Sequence, residues 1–559
     1  MAGVAAFFSE DKSMSGFSNG SENCWDGRDW IATLVAFCTA CVLIFSNLGD
    51  RHLWQDEAET ALIAHNVLQT GLPMAWDGKR LVTQNEGKEM TDSFLWAWTP
   101  WMMHYVAAAG MAVAGETSFG ARWLFGLIGT LAFPVFYWLV RRKSNNRFLA
   151  VTAVALLLSS VQYLLLMRQC RYYALLPLAF FVAVAAYLSL PSKRCMVILI
   201  AAGIFLFHSN YVSSVIALAG LLLHAAIFRR REAIWGQLAL SGLAIGATTV
   251  PWIMLTGVFN RVSPSLSFAQ GAVCTLIMAN RYVCPWLLII GVVVGHSLKR
   301  AQVDQTLALS FSLLVPMFFF LPALLWPNPR YVSFLLPIGM LVEAHAIESV
   351  YRWKSWLGIA LAIVLVASNV LIIPLPALIP TRIGREWSGG AVETGKDALA
   401  LGLFKSEIAG YVFEITHKCH GPDEELASFV QQNTASEDVI GITHDGLSTM
   451  FHTGRALAGL LDIQAQERPG WNKLPRYLSD ITQARWIIIR PERLGSEGMS
   501  AAELLDALQQ NNIRIEKSFH LNISDVRWIN NPLIAQHVFN PSKVPGEPVD
   551  VLLLTHSIE

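Results

Sequence analysis

The sequence predicts a mostly α-helical membrane protein, a polytopic helical bundle with a long first outer loop and a C-terminal soluble α/β domain. Of its 559 residues, 54% are hydrophobic and only 15% are charged, and the mean hydropathy is +0.44. Such an apolar composition is typical of a chain that crosses the membrane many times. After about residue 381 the apolar runs shorten and charges become frequent, which indicates a change to aqueous surroundings.

Eleven apolar segments are candidate spans, and most reach the roughly 17 to 25 residues that a crossing helix needs. They are 31–48, 121–140, 148–167, 173–190, 196–208, 211–228, 235–256, 282–298, 305–325, 331–350 and 355–376. A further segment, 94–115, is apolar enough to cross, so we expect about 11 to 13 spans in all. Its three tryptophans also suit an interfacial or re-entrant helix, and we place it in the outer loop 49–120.

Basic clusters fall at every second boundary of these segments, which sets the orientation by the positive-inside rule. The clusters are Arg141-Arg142-Lys143 with Arg147, Lys193-Arg194, Arg229-Arg230-Arg231, Lys299-Arg300 and Arg352 with Lys354. We therefore expect a cytoplasmic tail over 1–29, a membrane module over 30–380 and a periplasmic α/β domain over 381–559. The protein would lie in the inner (cytoplasmic) membrane with its N-terminus inside. The acidic first 29 residues do not resemble a cleavable signal peptide.

The outer domain is predicted from short alternating elements. Helices are expected at 423–432 and 501–510, and strands at 438–442, 484–489 and 549–554. The turn 441–446 could contact an acceptor, but we favour a solvated loop. The zero net charge gives no sign of nucleic-acid binding, and the eight cysteines show no disulfide framework.

The outer loop opens with an acidic cluster, Asp56, Glu57 and Glu59. Apolar residues then recur at helical spacing as far as Gly71, so the sequence predicts a helix with Asp56 and Glu57 in its first turn. Acidic residues often stand there only to complement the helix dipole. A functional role depends on which residues lie opposite.

Arginines stand at several outer boundaries, where the positive-inside rule predicts few, and tyrosines accompany them. They are Arg122, Arg168, Arg171 with Tyr172, Arg281 with Tyr282, and Arg330 with Tyr331. His208 is the last residue of the short segment 196–208, which is about 20 Å long, so we expect the polar turn that begins at His208 to be recessed in the membrane. Ionisable groups at that depth are commonly functional, although a turn satisfied inside the bundle is the alternative.

If these boundaries converge, carboxylates of the first loop would face arginines, a histidine and tyrosines. Guanidinium groups bind phosphate and stabilise a departing phosphate, and a carboxylate can take the proton of an acceptor hydroxyl. These carboxylates and arginines together would suit transfer of a sugar from a polyprenyl phosphate to an acceptor. The transfer would invert the anomeric centre and would need no nucleotide site. The acceptor would be a lipid, a glycan or a protein.

Four short motifs in this order resemble one group of proteins. They are Trp54-Gln55-Asp56-Glu57-Ala58-Glu59, Phe119-Gly120-Ala121-Arg122, Arg168-Gln169-Cys170-Arg171-Tyr172, and Pro329-Arg330-Tyr331 ahead of Leu336-Pro337. Together they resemble the GT-C membrane glycosyltransferases, in the branch of the lipid A aminoarabinose transferase and the protein O-mannosyltransferases. The resemblance implies that Asp56 is the general base, with Glu57 as its neighbour.

We accordingly expect Lys88, Arg171 and Arg330 to bind the donor phosphate. The remaining pocket residues would be Arg122, Arg168, Tyr172, His208 and Tyr331. The aminoarabinose transferase has a Lys-Pro before its aromatic helix, whereas this chain has Thr99-Pro100. Either Lys88 takes the place of that lysine or Arg171 and Arg330 suffice, and the sugar is left open.

Metal binding is a further alternative. Glu86, Glu89 and Asp92, with His104 or His208, would suit a divalent ion, but scattered solvated acids are the favoured interpretation, so we assign no metal and no cofactor. Two other functions remain open. A transporter or flippase for a lipid-linked sugar is disfavoured because the charges gather at one face. A non-catalytic envelope assembly protein with the same fold is compatible with the sequence.

Overall fold

The structure, a computed structural model, describes residues 25–257, 267–299, 305–324, 329–368, 371, 407–419, 421–443, 445–462, 468, 470–490, 501–521, 523 and 549–555. The α-helices of the membrane module, numbered in chain order, are α1 Gly27–Phe45, α2 Gln55–Thr70, α3 Met102–Ala114, α4 Ser118–Ser144, α5 Arg147–Ser159, α6 Val161–Met167, α7 Leu176–Leu188, α8 Lys193–Ser209, α9 Tyr211–Phe228, α10 Trp235–Thr256, α11 Phe268–Met278, α12 Trp286–Lys299, α13 Gln305–Leu314, α14 Met317–Leu324, α15 Leu336–Trp353 and α16 Ser355–Ala367. Short 3-10 helices lie at Tyr172–Ala174 and Pro329–Leu335, and a π turn lies at Ala279–Val283.

Each of the eleven predicted segments overlaps at least one of these helices, although most of 369–376 lies outside the described residues. In the described part of the chain, six helices are long and apolar enough to cross a membrane, or eight if each bent pair counts as one span. The protein is therefore a multi-pass membrane protein with a helical bundle.

Two bends depart from the predicted spans. The helices α5 and α6 meet at 71°, and the helix formed by α11 and the π turn meets α12 at 83°. The predicted segment 282–298 thus begins inside the π turn, and α11 before it was not counted. Pro285 lies at this bend, where it cannot continue the preceding helix. Helix α8 has 17 residues rather than the 13 predicted, because it also includes residues 193–195 at its start and Ser209 at its end.

The end of the bundle opposite the outer loop contains a buried acidic residue. Asp29, which is fully buried, accepts hydrogen bonds from Tyr137 at 2.8 Å, Arg141 at 3.1 Å and Arg147 at 3.0 Å. These bonds join the start of α1 to the end of α4 and the start of α5. Two of the basic residues that define the predicted inner face therefore meet at one end of the bundle.

At the other end, called the outer end below, the loop after α1 forms the predicted helix α2. Asp56 and Glu57 stand in its first turn, and Gly71 ends it with a left-handed φ of 78°. The helix packs on α3, which in turn packs on α4. Helices α3 and α4 can approach closely because residue 110 is a glycine. A Cβ atom at Gly110 would lie only 2.6 Å from the carbonyl oxygen of Gly120.

The C-terminal domain contains helices α17 Ile408–Thr416, α18 Pro422–Asn433, α19 Leu447–Thr453 and α20 Ala501–Gln510, and strands β1 Val439–Ile442, β2 Ala456–Ala458, β3 Trp486–Ile489, β4 Arg514–Leu521 and β5 Val549–Thr555. The strands form one sheet in the order β2-β1-β3-β5-β4, parallel for β2-β1-β3 and antiparallel for β3-β5-β4. The predicted α/β domain is confirmed, while α17, α19, β2 and β4 were not predicted. The proposed boundary at 381 lies outside the described residues.

This domain sits directly on the outer loop. Trp471 donates to the carbonyl oxygen of Asp92 at 3.0 Å and stacks on Phe94. Tyr477 donates to the carbonyl oxygen of Lys79 at 2.8 Å. Tyr411 of α17 donates to the carbonyl oxygen of Leu43, near the end of α1, at 2.7 Å. The outer loop is therefore held between the bundle and the C-terminal domain.

Candidate active site

Asp56 lies at the outer end and faces two arginines from distant parts of the chain. Its Oδ2 atom is 2.9 Å from Nη1 of Arg330 and 3.7 Å from Nη2 of Arg171. The side chain of Asp56 is 16% exposed and that of Arg330 is 26% exposed, so solvent reaches both. The structure thus brings together three residues that the sequence analysis selected.

Arg171 is fixed by the helix that carries Asp56. Its Nη1 atom donates to the carbonyl oxygen of Asp56 at 2.7 Å, to Oε1 of Glu59 at 2.8 Å and to Oγ1 of Thr60 at 2.9 Å. Burial alone would lower the pKa of Arg171, but the carboxylates of Asp56 and Glu59 raise it above its ordinary value. Arg171 is therefore a permanent cation under the first turn of α2.

Glu59 supplies a second buried carboxyl group one turn from Asp56. Its Oε2 atom accepts a hydrogen bond from Nε2 of Gln84 at 2.5 Å, and the same Nε2 is 3.5 Å from Oδ1 of Asp56. Burial raises the pKa of Glu59 to about 7, although Arg171 opposes this effect. Glu59 can therefore gain or lose a proton near neutral pH, which is typical of functional sites.

Two tyrosines stand beside the arginines. The rings of Tyr172 and Tyr331 are stacked with centroids 6.2 Å apart. The guanidinium of Arg171 lies 5.8 Å from the Tyr172 ring, and that of Arg330 lies 5.2 Å from the Tyr331 ring. Each arginine therefore has an aromatic neighbour that limits its movement.

Glu57 belongs to a separate, fully buried cluster. Its carboxylate receives two hydrogen bonds from Arg122, at 2.8 and 2.6 Å, and a third from the backbone N–H of Cys170 at 2.9 Å. Arg122 also donates to the carbonyl oxygens of Leu48, Arg51 and His52. This arrangement fixes the loop that leads into α2 and favours a positioning role for both residues.

Three other selected residues lie in different surroundings. Arg168 is buried and donates to the last carbonyl oxygens of α1, including that of Ile44 at 2.8 Å. His208 lies in the last turn of α8 and packs edge-on against Trp252, with ring centroids 5.4 Å apart. Lys88 is 65% exposed and pairs with Glu86 at 3.0 Å, on the loop that also carries Gln84.

The acidic residues of that loop are spread between two surroundings. Glu89 is fully buried, and its carboxylate accepts from Thr83 Oγ1 and from the backbone N–H groups of Gln84 and Asn85, each at 2.6 Å. Glu86 instead pairs with Lys88 at the surface. In the described ranges, no group of three or more His, Cys, Asp and Glu residues is arranged to hold a metal ion.

The C-terminal domain contacts the segment just before Asp56. The backbone N–H of Leu53 donates to Nε2 of His452 at 3.1 Å, and that of Leu447 donates to Oε1 of Gln55 at 2.9 Å. Thr443, in the turn predicted to be solvated, is buried. The sequence analysis did not select Gln84 or His452, since an amide in a loop or a histidine in a short helix follows no pattern, and it quoted Gln55 only as part of the first motif.

Comparisons with known proteins show which solved structures share the fold of this chain. No protein-family model and no curated protein sequence matches the chain. Its structure is similar to that of ArnT from Cupriavidus metallidurans bound to undecaprenyl phosphate, with a TM-score of 0.57 and 14% identity over 94% of this chain and 98% of that one. The apo state of ArnT gives the same TM-score at 16% identity over the same shares of the two chains. An oligosaccharyltransferase from Archaeoglobus fulgidus gives a TM-score of 0.42 at 13% identity, over 82% of this chain and 68% of that one.

The chain therefore shares its fold with ArnT, in agreement with the resemblance to the GT-C membrane glycosyltransferases. Within this group, the chain resembles ArnT along almost the whole length of both proteins. This likeness confirms the resemblance drawn from the four motifs, whose residues Asp56, Arg122, Arg171 and Arg330 all lie at the outer end. The roles of individual residues stay predictions.

Proposed function

We propose that this chain is a membrane glycosyltransferase that moves a sugar from a polyprenyl phosphate to an acceptor hydroxyl at its outer face. The observation that carries the proposal is the partly exposed carboxylate of Asp56, held between the guanidinium groups of Arg171 and Arg330. The shared fold with ArnT, which was solved with undecaprenyl phosphate bound, supports the donor class. The proposed location is the inner membrane, with the N-terminus inside and the C-terminal domain in the periplasm.

In this proposal, the donor phosphate binds at Arg330 and Arg171 and replaces Asp56 as the partner of Arg330. Phosphate and carboxylate compete for the same guanidinium because both accept charge-assisted hydrogen bonds from it. Once released, the Asp56 carboxylate is free to accept a proton. Donor binding would thus activate the base in the same step that positions the leaving group.

The reaction is a single displacement. Asp56 takes the proton of the acceptor hydroxyl while the oxygen of that hydroxyl forms a bond to the anomeric carbon. The bond between that carbon and the phosphate oxygen breaks, and polyprenyl phosphate leaves with the electron pair. Arg171 and Arg330 stabilise the charge that grows on the phosphate, so no metal or cofactor is required. Attack opposite to the leaving group inverts the anomeric centre.

The other residues are assigned from their surroundings. Glu57 and Arg122 hold the loop before α2, and Arg168 holds the end of α1. Tyr172 and Tyr331 are the aromatic walls of the pocket. Lys88 is proposed to bind the donor phosphate, and His208 is proposed to line the pocket. The sugar and the acceptor are open.

The test is a transfer assay with purified protein in nanodiscs. A panel of polyprenyl-phosphate sugars is supplied with an acceptor extract, and release of polyprenyl phosphate is measured by mass spectrometry. We expect release by the wild type and a loss of about 10²- to 10⁴-fold in Asp56→Asn, the range for a general base. Equal release by both proteins would remove Asp56 from the mechanism. No release from any donor would favour transport or assembly instead.

A further inference from the structure

A polar cavity separate from the Asp56 site lies where the two bent helix pairs meet. It has a free volume of about 140 Å³ and is partly open to the outside. One wall is the break between α5 and α6, with Ser160 and Gln162, and another is the π turn, with Arg281. Helices α15 and α16 close it. Its lining residues are all different from those of the Asp56 site.

The cavity extends from the outer end into the bundle. Glu407 and Ile408 line it next to α17, whose Tyr411 reaches the end of α1. Glu343 lies seven residues after Leu336 on α15, which is about 10 Å along that helix. Broken helices at such depth are tolerated where they line a cavity, and in membrane proteins they commonly mark a binding site.

Two ionisable side chains line this cavity with unused hydrogen-bonding capacity. Glu343 is 5% exposed, and its carboxyl group has no hydrogen-bond or ion-pair partner among the described residues. The side chain of Arg281 is 9% exposed; its Nη2 atom is 3.5 Å from Glu407, and its buried Nη1 atom has no hydrogen-bond partner. Buried polar groups are normally satisfied, so the unpartnered Nη1 atom of Arg281, which lines the same cavity as Glu343, indicates a ligand.

The charges restrict the chemistry of that ligand. A phosphate would meet the carboxyl groups of Glu343 and Glu407, and a metal cation would meet Arg281. An apolar chain would leave Glu343 and Arg281 unsatisfied. A neutral polyhydroxyl group avoids these conflicts, because hydroxyls donate to carboxylates and accept from guanidinium, hydroxyl and amide groups.

We propose that this cavity binds the hydroxyl groups of a sugar, supplied by a glycolipid head group or by a free sugar. Glu343 accepts from the sugar hydroxyls and Arg281 donates to them, while Ser160 and Gln162 complete the contacts from the facing helices. The site is independent of the Asp56 site and of the reaction proposed there.

The test measures binding of monoglucosyl diacylglycerol to the full-length protein by native mass spectrometry, in a detergent that contains no sugar. Diacylglycerol and phosphatidic acid are the comparison lipids, and methyl β-glucoside is the free-sugar competitor. We expect binding that depends on the glucosyl group and weakens by up to about tenfold in Glu343→Leu, which loses the hydrogen bonds to the Glu343 carboxyl group. Competition by methyl β-glucoside would show that a free sugar suffices, and its failure would show that the sugar must be lipid-linked.

The matched control is Glu348→Gln, on the same helix but outside the cavity, where Glu348 pairs with Arg352 and Asn146. We expect it to bind as the wild type does. Ser160 lines the cavity on the wall that faces Glu343. A loss of glycolipid binding in Ser160→Val would support the site even if Glu343→Leu does not fold. Equal binding of diacylglycerol and the glycolipid would overturn the proposal. So would tighter binding of phosphatidic acid that is lost in Arg281→Met, because it would identify an anion site.

Discussion

The carboxylate of Asp56 and the guanidinium of Arg330 lie 2.9 Å apart, although 274 residues separate them in the chain. Asp56 stands on α2, whereas Arg330 stands in the 3-10 helix Pro329–Leu335. Hydrogen bonds from Ser213 to the carbonyl oxygen of Tyr331 and from Ser333 to that of Tyr173 attach this 3-10 helix to the bundle. The proposed base and the proposed phosphate ligand are thus held by separate elements with fixed positions.

Replacement of Arg330 should weaken donor binding and also slow the chemical step. Arg330→Met removes a charge-assisted contact to phosphate that is present before and during transfer, worth about 2 kcal/mol or roughly 30-fold in kcat/KM. The loss should appear both as a higher KM for the polyprenyl-phosphate sugar and as a lower kcat, because Arg330 binds the donor phosphate and stabilises the charge that grows on it. Steady-state kinetics at saturating acceptor would measure the two constants separately.

Lys88→Met is the informative comparison, because Lys88 is an exposed cation that pairs with Glu86. We expect a smaller rise in KM than in Arg330→Met, since an exposed side chain holds a ligand less rigidly. A larger effect in Lys88→Met would instead locate the donor phosphate at the loop that carries Gln84.

Arg122→Met should destabilise the protein strongly. It would leave the carboxylate of Glu57, which is fully buried, without its cation, and breaking a buried pair in this way typically costs about 3–5 kcal/mol. Thermal unfolding in detergent should show a clearly lower midpoint. Arg142→Met removes the same charge from the same helix without a buried acidic partner and should change the midpoint little. An unchanged midpoint in Arg122→Met, with a raised KM, would show that Arg122 contacts substrate.

The sequence carried enough information to predict the helices and part of the site. Helix α2 follows from its apolar spacing and from Gly71, and both features are local. Asp56, Arg171 and Arg330 were selected because charged residues at the outer boundaries of a membrane bundle are costly and need a reason. Such arguments depend on residue type and position along the chain alone.

The features that were missed depend on contacts between distant segments. Gln84 touches Asp56 and Glu59 only after the loop folds back, and His452 touches Leu53 across 399 residues. Strand β2 has three residues, too few for a periodic pattern, and β4 is mostly exposed, so its alternation is weak. The bend at Pro285 divides a segment whose composition alone suggests one helix.

Glu59 should make the stability of the protein fall as pH rises toward neutral. Burial raises its pKa from 4.5 to about 7, so the folded state holds a proton that the unfolded chain releases above about pH 4.5. The stabilisation is complete below pH 4.5 and is lost as pH rises to about 7, a difference of about 3 kcal/mol. Between pH 5 and 7, the midpoint of thermal unfolding of Glu59→Gln should therefore fall less with rising pH than that of the wild type. A slope equal to that of the wild type would show that the Glu59 carboxylate ionises normally.

His452 should have the opposite effect, because it is a base whose pKa is lowered. Its Nε2 atom accepts from the N–H of Leu53, and its ring stacks on His52 at 3.6 Å. Burial, with the neighbouring His52 and Arg122, lowers the pKa of His452 from 6.5 to about 2. Below pH 6.5 the unfolded chain takes up a proton that the folded state refuses, so stability is present above pH 6.5 and is lost as pH falls.

His452→Gln retains an acceptor for Leu53 and cannot be protonated, so its unfolding midpoint should fall less than that of the wild type between pH 6.5 and 5. The control is His417→Gln, which changes an exposed histidine near the same interface and should follow the wild-type curve. The two variants His452→Gln and Glu59→Gln should therefore tilt the pH profile in opposite directions, because one removes a buried base and the other a buried acid. Parallel curves for wild type and His452→Gln would mean that the ring is protonated in the folded state, and that the C-terminal domain does not hold the approach to Asp56 through a neutral imidazole.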